Sequence, residues 1–147
     1  MINALFTSAL IGVIMSEKGV SFSGSVGGCQ GEIGVACAMA AAAAEYFYSG
    51  TSRQIEYAAE SGLEHHLGLT CDPVAGRVQV PCIERNAAAA NAALFAAQFV
   101  MFSDGSHRVS FDDVIKVMMN TGIDMPALYR ETSEGGLAKV YRIPTGA

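Results

Sequence analysis

The sequence predicts an all-α fold, a compact alanine-rich helical domain with cysteine-bearing loops at helix ends. Three observations carry this. Apolar residues recur at helical spacing or fill long runs, with Ala40–Ala44 at the extreme. Hydroxyl caps precede two of the amphipathic stretches, Thr51-Ser52-Arg53-Gln54 and Ser110-Phe111-Asp112-Asp113. The one alternating segment, Val78-Gln79-Val80, is too short to establish a sheet. At 147 residues the chain reads as one domain over 1–147, large enough to bury a core.

Helix one is expected over Ile2–Ser16, apolar all round and so buried on most sides, and Glu17-Lys18-Gly19 ends it. It is shorter than the roughly 18–20 residues that span a bilayer, and no Lys or Arg precedes it, so a core helix is preferred to a membrane or signal segment. Val20–Gly28 is a Ser- and Gly-rich loop. Helix two runs from about Gln30 to Tyr48, with Gly50 as its stop. Cys37, inside it, reads as a small buried hydrophobe. Helix three follows the Thr51 cap through His66 and stops at Gly68. Leu69–Pro81 is bent, and helix four, about Ile83–Phe102, is taken as the central core helix through Leu94, Phe95 and Phe99. Helix five runs from the Ser110 cap to Gly122, and a short last helix spans Met125–Tyr129 before the hydroxyl- and glycine-rich loop Glu131–Gly136.

The balance of 51% hydrophobic and 16% charged residues excludes a disordered chain, and suggests surface hidden in a core or against a partner. A net charge of −5 leaves no basic footprint, so nucleic acid is not an expected ligand. Four cysteines with no signal sequence suggest the reducing cytoplasm, where thiols bind metal or stay free.

The chemistry concentrates in Ser61–Asn86, SGLEHHLGLTCDPVAGRVQVPCIERN. Cys71 is followed by Asp-Pro and Cys82 is preceded by Pro81, and proline bends both segments. Cys29 lies upstream in the bend Gly27-Gly28-Cys29-Gln30-Gly31. Gln30-Gly31-Glu32 opens a helix whose amides favour a thiolate. The wide spacing of the three cysteines matches neither the close pairs of a zinc finger nor a ferredoxin run. From the residues alone a shared soft-metal site and three unrelated buried thiols stand as equal alternatives. For His65 and His66 the alternative to a functional role is a hydrogen-bonded core or interface residue.

Four stretches are longer and more specific: Val26–Gly34 (VGGCQGEIG), Glu64–Asp72 (EHHLGLTCD), Val78–Asn86 (VQVPCIERN) and Tyr129–Ala138 (YRETSEGGLA). In order, they resemble the iron–sulfur-dependent L-serine dehydratases of bacteria, in the C-terminal part of that family's alpha, or catalytic, portion. The resemblance implies that Cys29, Cys71 and Cys82 bind a 4Fe–4S cluster, with one iron left open as a Lewis acid. It implies conversion of L-serine to pyruvate and ammonia without pyridoxal phosphate. Around the cysteines, His65, His66, Glu84 and Arg85 are the candidate catalytic groups, and Arg85 is suited to a bidentate grip on the substrate carboxylate. Glu84 and Arg85 serve equally well as a cap and bridge for helix four. Asn86, Thr132, Ser133, Gly135 and Gly136 are candidate substrate-binding residues, with an ordinary surface loop as the alternative for the last four.

The family's upstream half, with a Pro-Thr-Asn-Gly loop, and its regulatory beta domain have no counterpart in this sequence. Nor does Tyr141–Ala147 carry the terminal cysteine of some members. Those portions are therefore expected partners, in a homo- or hetero-oligomer, and little activity is expected of this chain alone. A non-catalytic metal- or cluster-binding scaffold, and a plain helical interaction domain, are the competing readings.

Overall fold

The computed structural model describes residues 1–140, so the Tyr141–Ala147 tail lies outside the described residues. Among the described residues seven α-helices follow in order: α1 (Ile2–Glu17), α2 (Gly24–Gly27), α3 (Val35–Phe47), α4 (Ser52–Glu64), α5 (Cys82–Val100), α6 (Phe111–Asp124) and α7 (Leu137–Val140). A π-helical turn, Gln30–Gly34, precedes α3, and 3-10 turns occupy Val74–Gly76 and Ala127–Tyr129. Among the described residues there is no named strand, only an isolated bridge between Cys71 and Arg130. The all-α expectation is borne out.

Helix α3, and not α5, is the centre of the fold, lying against α1, α4 and α5. Its alanines explain this. Ala38, Ala41 and Ala42 are fully buried and small enough for neighbouring backbones to come close. A Cβ at Gly62 of α4 would lie 3.2 Å from Ala38 Cα, so the two helices meet backbone to backbone. One face of α3 sends Val35, Ala38 and Ala42 into a core with Met15, Leu63 and Ile115. The other sends Cys37 and Ala41 into a second core with Cys29, Cys71 and the Ala89, Ala93 and Ala96 stripe of α5.

Two expectations of burial are corrected. Helix α1 buries only one face, through Ala4, Ile11 and Met15, while Ile2, Leu5, Phe6, Leu10 and Val13 are exposed. Leu94, Phe95 and Phe99 of α5 are likewise exposed, because the alanines of α5 make its inward face. In α5 the small residues pack inward and the large side chains are left outside, whereas α1 buries Ile11 and Met15 and leaves its other large side chains exposed. No helix among the described residues is long and apolar enough to cross a membrane.

The caps form as read. Thr51 Oγ1 accepts from Gln54 N–H, and Gln54 Oε1 accepts from Thr51 N–H, completing a capping box. Ser110 Oγ accepts from Asp113 N–H at 3.1 Å. The stop of α3 differs in detail: Ser49 takes the left-handed conformation (φ 65°). Gly50 is needed for space beside the buried Glu45 side chain.

Candidate metal centre

Cys29, Glu32 and Cys71 each offer a ligand atom, and these atoms all lie within 4.8 Å of one another. Cys29 is the residue from which the π turn starts, and Glu32 is three positions further on, inside it. A π turn of this kind is wider than an α turn and is frequent at functional sites. Cys71 comes from the bend after α4.

Each segment is held by its own hydrogen bonds. Gln30, fully buried, donates from its N–H to Leu69 O at 3.2 Å and from Nε2 to Met118 O at 3.0 Å, and its Oε1 accepts from Gly68 N–H at 2.9 Å. It thereby joins the Cys29 turn to α6 and to the segment leading into Cys71. Gly28, at φ +74°, lets the chain pass Leu69 O so closely that a Cβ would be 2.6 Å from it. Cys71 N–H donates to Tyr129 O, and Cys71 O accepts from Glu131 N–H, both at 2.8 Å. Ser133 Oγ donates to Pro73 O at 2.8 Å, and Leu137 N–H donates to Asp72 Oδ2 at 2.8 Å. Gly136, at φ +57°, packs so close that a Cβ would be 2.8 Å from Asp72 Cβ. The loop Glu131–Gly136 is thus pinned along Cys71-Asp72-Pro73 by main-chain and side-chain bonds.

Cys82 is buried as the first residue of α5. It is outside the tight group, but the charges of Cys29 and Glu32 reach its thiol. Arg85, one turn on, donates from Nη1 to Thr70 O at 2.7 Å and to Cys29 Sγ at 3.7 Å, and pairs with Asp72 Oδ1 at 2.7 Å.

The electrostatics follow from buried thiols set beside the exposed carboxylates of Glu32 and Glu131. The Cys71 thiol is pushed well above the ordinary thiol range by burial first, then by Cys29, Glu131 and Glu32. Burial, then Cys29 and Glu32, also raise Cys82, against the opposing pull of Arg85. A thiolate pair beside a carboxylate is a donor set that repels itself until a cation joins it. The space fits too. A Cβ at Gly24 would stand 2.9 Å from Cys71 Sγ and 3.4 Å from Glu32 Oε2, so only glycine leaves the cradle free. The residues present therefore suit a thiophilic metal group.

Cys37 behaves differently. Its thiol is raised to about 11 by burial, with no neighbouring charge acting on it. It faces a recess with Ile33, Asn86 and Ala89.

The remaining candidates are scattered. His65 and His66 share a recess with Phe95 and Ala96 of α5, and no hydrogen bond among the described residues joins them to the thiols. Their Nδ1 atoms lie 2.8 Å from Ser61 O and 2.7 Å from Gly62 O. A carbonyl only accepts, so both rings carry the Nδ1 proton and leave Nε2 as the basic nitrogen. Glu84 is exposed on the first turn of α5. Asn86 Nδ2 donates to Cys82 O at 2.8 Å. Thr132 Oγ1 donates to Leu128 O at 3.2 Å, and Gly135 is buried against Leu128.

Sequence reasoning assigned no part to Glu32, Asp72 or Gln30. Glu32 carried a usable signal, since i and i+3 share a helix face with Cys29. Asp72 and Gln30 act across long sequence separations that no local pattern records.

Comparison with known proteins gives one consistent result. Residues 1–138 match the family model described as serine dehydratase alpha chain. An L-serine dehydratase of Streptomyces coelicolor is 53% identical over 138 residues, covering 94% of this chain and 30% of that protein. L-serine dehydratase 1 of Escherichia coli is 58% identical over 122 residues, 83% of this chain and 27% of that protein. An L-serine dehydratase of Helicobacter pylori is 49% identical over 94% of this chain and 30% of its own length. The chain spans about 30% of the length of the curated relatives it matches.

Proposed function

The chain belongs to the serine dehydratase alpha chain family, and from that premise we propose that it forms the cluster-bearing part of an L-serine ammonia-lyase. The reaction is L-serine to pyruvate and ammonia, without pyridoxal phosphate. We read residues 1–147 as a single, partial catalytic domain working in the cytoplasm. The observation that carries the proposal is the meeting of Cys29, Cys71 and Glu32 within 4.8 Å, at the joint of segments far apart in sequence.

Cys29, Cys71 and Cys82 are the proposed ligands of a 4Fe–4S cluster. When bound, a cluster held by three thiolates supplies an open, Lewis-acidic iron that polarises the C–O bond of a poor leaving group. The chain's own residues do the rest. Arg85 holds Cys29 beside Asp72 and offsets the charge of the thiolates. Asn86 fixes the Cys82 carbonyl at the start of α5. Thr132, Ser133, Gly135 and Gly136 form the proposed substrate loop, supported by its seam with Cys71-Asp72-Pro73.

Elimination removes the α-proton and the β-hydroxyl of L-serine as water. The aminoacrylate left behind tautomerises to an imine, and one water hydrolyses it to pyruvate and ammonia. The α-proton is assigned to His65 or His66, whose free Nε2 suits a general base. Glu84 is the proposed acidic partner.

We propose further that turnover needs the upstream half of the alpha portion and a beta domain. The short share of the relatives' length that the chain covers supports this, as do the exposed apolar stripes of α1 and α5. The test is a pyruvate assay on anaerobically reconstituted protein, with and without the missing half in trans. Activity is expected only with the half supplied. Full turnover by the chain alone contradicts the need for a partner. No turnover by the loaded, completed protein contradicts the dehydratase reading.

A further inference from the structure

We propose that Arg130 binds the carboxylate of the amino-acid substrate, an assignment that rests on the dehydratase reading of the thiol site. Its position is set by main-chain bonds. Cys71 N–H to Tyr129 O and Glu131 N–H to Cys71 O place Arg130 across a parallel bridge from Cys71. Its side chain then reaches the other thiol-bearing segment, with Nη1 donating to Val26 O at 3.4 Å, shortly before Cys29. Arg130 therefore links the two thiol-bearing segments, by its main chain to Cys71 and by its side chain to Val26.

Its hydrogen-bonding capacity is unspent there. Nε is buried and has no partner among the described residues. A buried donor without an acceptor is costly, and native structures leave few of them. The Nε–Nη2 edge of arginine is a fork that a carboxylate takes with two parallel bonds. Several other cations are committed elsewhere. Arg85 is held by Asp72, Thr70 O and Cys29 Sγ. Lys18 and Lys116 pair with Asp112 and Asp113. Arg108 lines a recess with Glu60 and Glu64.

The surroundings call for a cation. Glu32 has a carboxylate oxygen within 4.8 Å of both thiols and Glu131 adjoins Arg130, so an anionic ligand entering beside them is repelled unless a positive group receives it. Holding the carboxylate at Arg130 also fixes one end of a small amino acid, which leaves its β-hydroxyl to turn toward the thiol-bearing site.

The experiment compares Arg130→Gln and Arg130→Lys with the parent in the cluster-loaded protein completed by its upstream half. Arg130→Gln is expected to raise KM for L-serine roughly ten- to hundredfold, the loss of a charged hydrogen bond, with a smaller change in kcat. Arg130→Lys recovers part of the loss. Inhibition by L-serinamide, which has no carboxylate, stays at the parent level, as do iron content and helical circular dichroism. Unchanged KM for L-serine overturns the assignment. So does equal weakening of L-serine and L-serinamide, or loss of iron from both variants. A parent protein that holds iron and sulfide but turns over no L-serine overturns the dehydratase reading itself, and this assignment with it.

Discussion

Arg85 Nη1 lies 2.7 Å from Asp72 Oδ1, and the two side chains are only 19% and 4% exposed. The pair joins the first turn of α5 to the Cys71 bend. On one side Arg85 also touches Cys29 Sγ, and on the other Asp72 accepts the Leu137 N–H. Four segments remote in sequence are tied by two side chains.

Removing one partner of such a pair strands the other. Asp72→Ala is expected to destabilise the protein by about 3 kcal/mol and to lower iron retention, as the Cys71 and Leu137 segments part. Urea unfolding and iron analysis of the purified variant check this. A variant as stable as the parent, with full iron, contradicts the role given to the pair.

On the proposed assignment the cysteines divide into ligands and packing. Cys71→Ser and Cys82→Ser are expected to abolish iron binding. Cys37→Ala should keep it, at a cost of about 1 kcal/mol or less, since little volume is lost. Equal iron loss in all three variants removes the distinction.

Space beside the thiols is as specific as the thiols themselves. Gly24→Ala puts a methyl 2.9 Å from Cys71 Sγ, whereas a methyl at Gly27 meets nothing within 4 Å. Iron occupancy after anaerobic reconstitution should fall in Gly24→Ala and hold in Gly27→Ala, with both variants folded by circular dichroism.

How much of this was legible beforehand depends on the range of the interaction. The caps at Thr51 and Ser110 announced two helices, because a cap bonds within its own turn. The alanine runs announced helices but not their order of burial. Alanine packs on either side, and only the assembled fold shows that α3 is central and that Phe95 and Phe99 face outward. The Cys29 bend reads in sequence as a helix start, yet the π turn that brings Glu32 beside the thiol is held by long-range bonds of Gln30 to Leu69 and Met118. The Arg85–Asp72 pair left no mark in spacing at all.

A separate cluster is expected to contribute to the pH dependence of stability. Glu60, buried on α4, is raised from 4.5 to about 8 by burial first, then by its hydrogen bond with Glu64 and the charges of Glu64 and Glu56. Tyr57, His107 and Arg108 complete its surroundings. The unfolded chain gives up this proton near pH 4.5 and the folded one near 8, so between them the unfolded state binds fewer protons. Stability from this group is whole below about pH 4.5 and is lost as pH rises through about 8. Glu60→Gln is therefore expected to flatten the stability curve over that window and to stabilise the protein at pH 8. Denaturant midpoints at several pH values decide it, and a parallel decline in the variant contradicts the account.

The central claim is that Cys29, Cys71 and Cys82 share one iron–sulfur cluster, and metal analysis tests it most directly. Anaerobically purified or reconstituted protein should contain iron and acid-labile sulfide in equal amounts. It should be brown, and should bleach in air with the release of both. Bound zinc without sulfide, or a metal-free protein in which all four thiols titrate with a thiol reagent after anaerobic reconstitution with iron and sulfide, would contradict it.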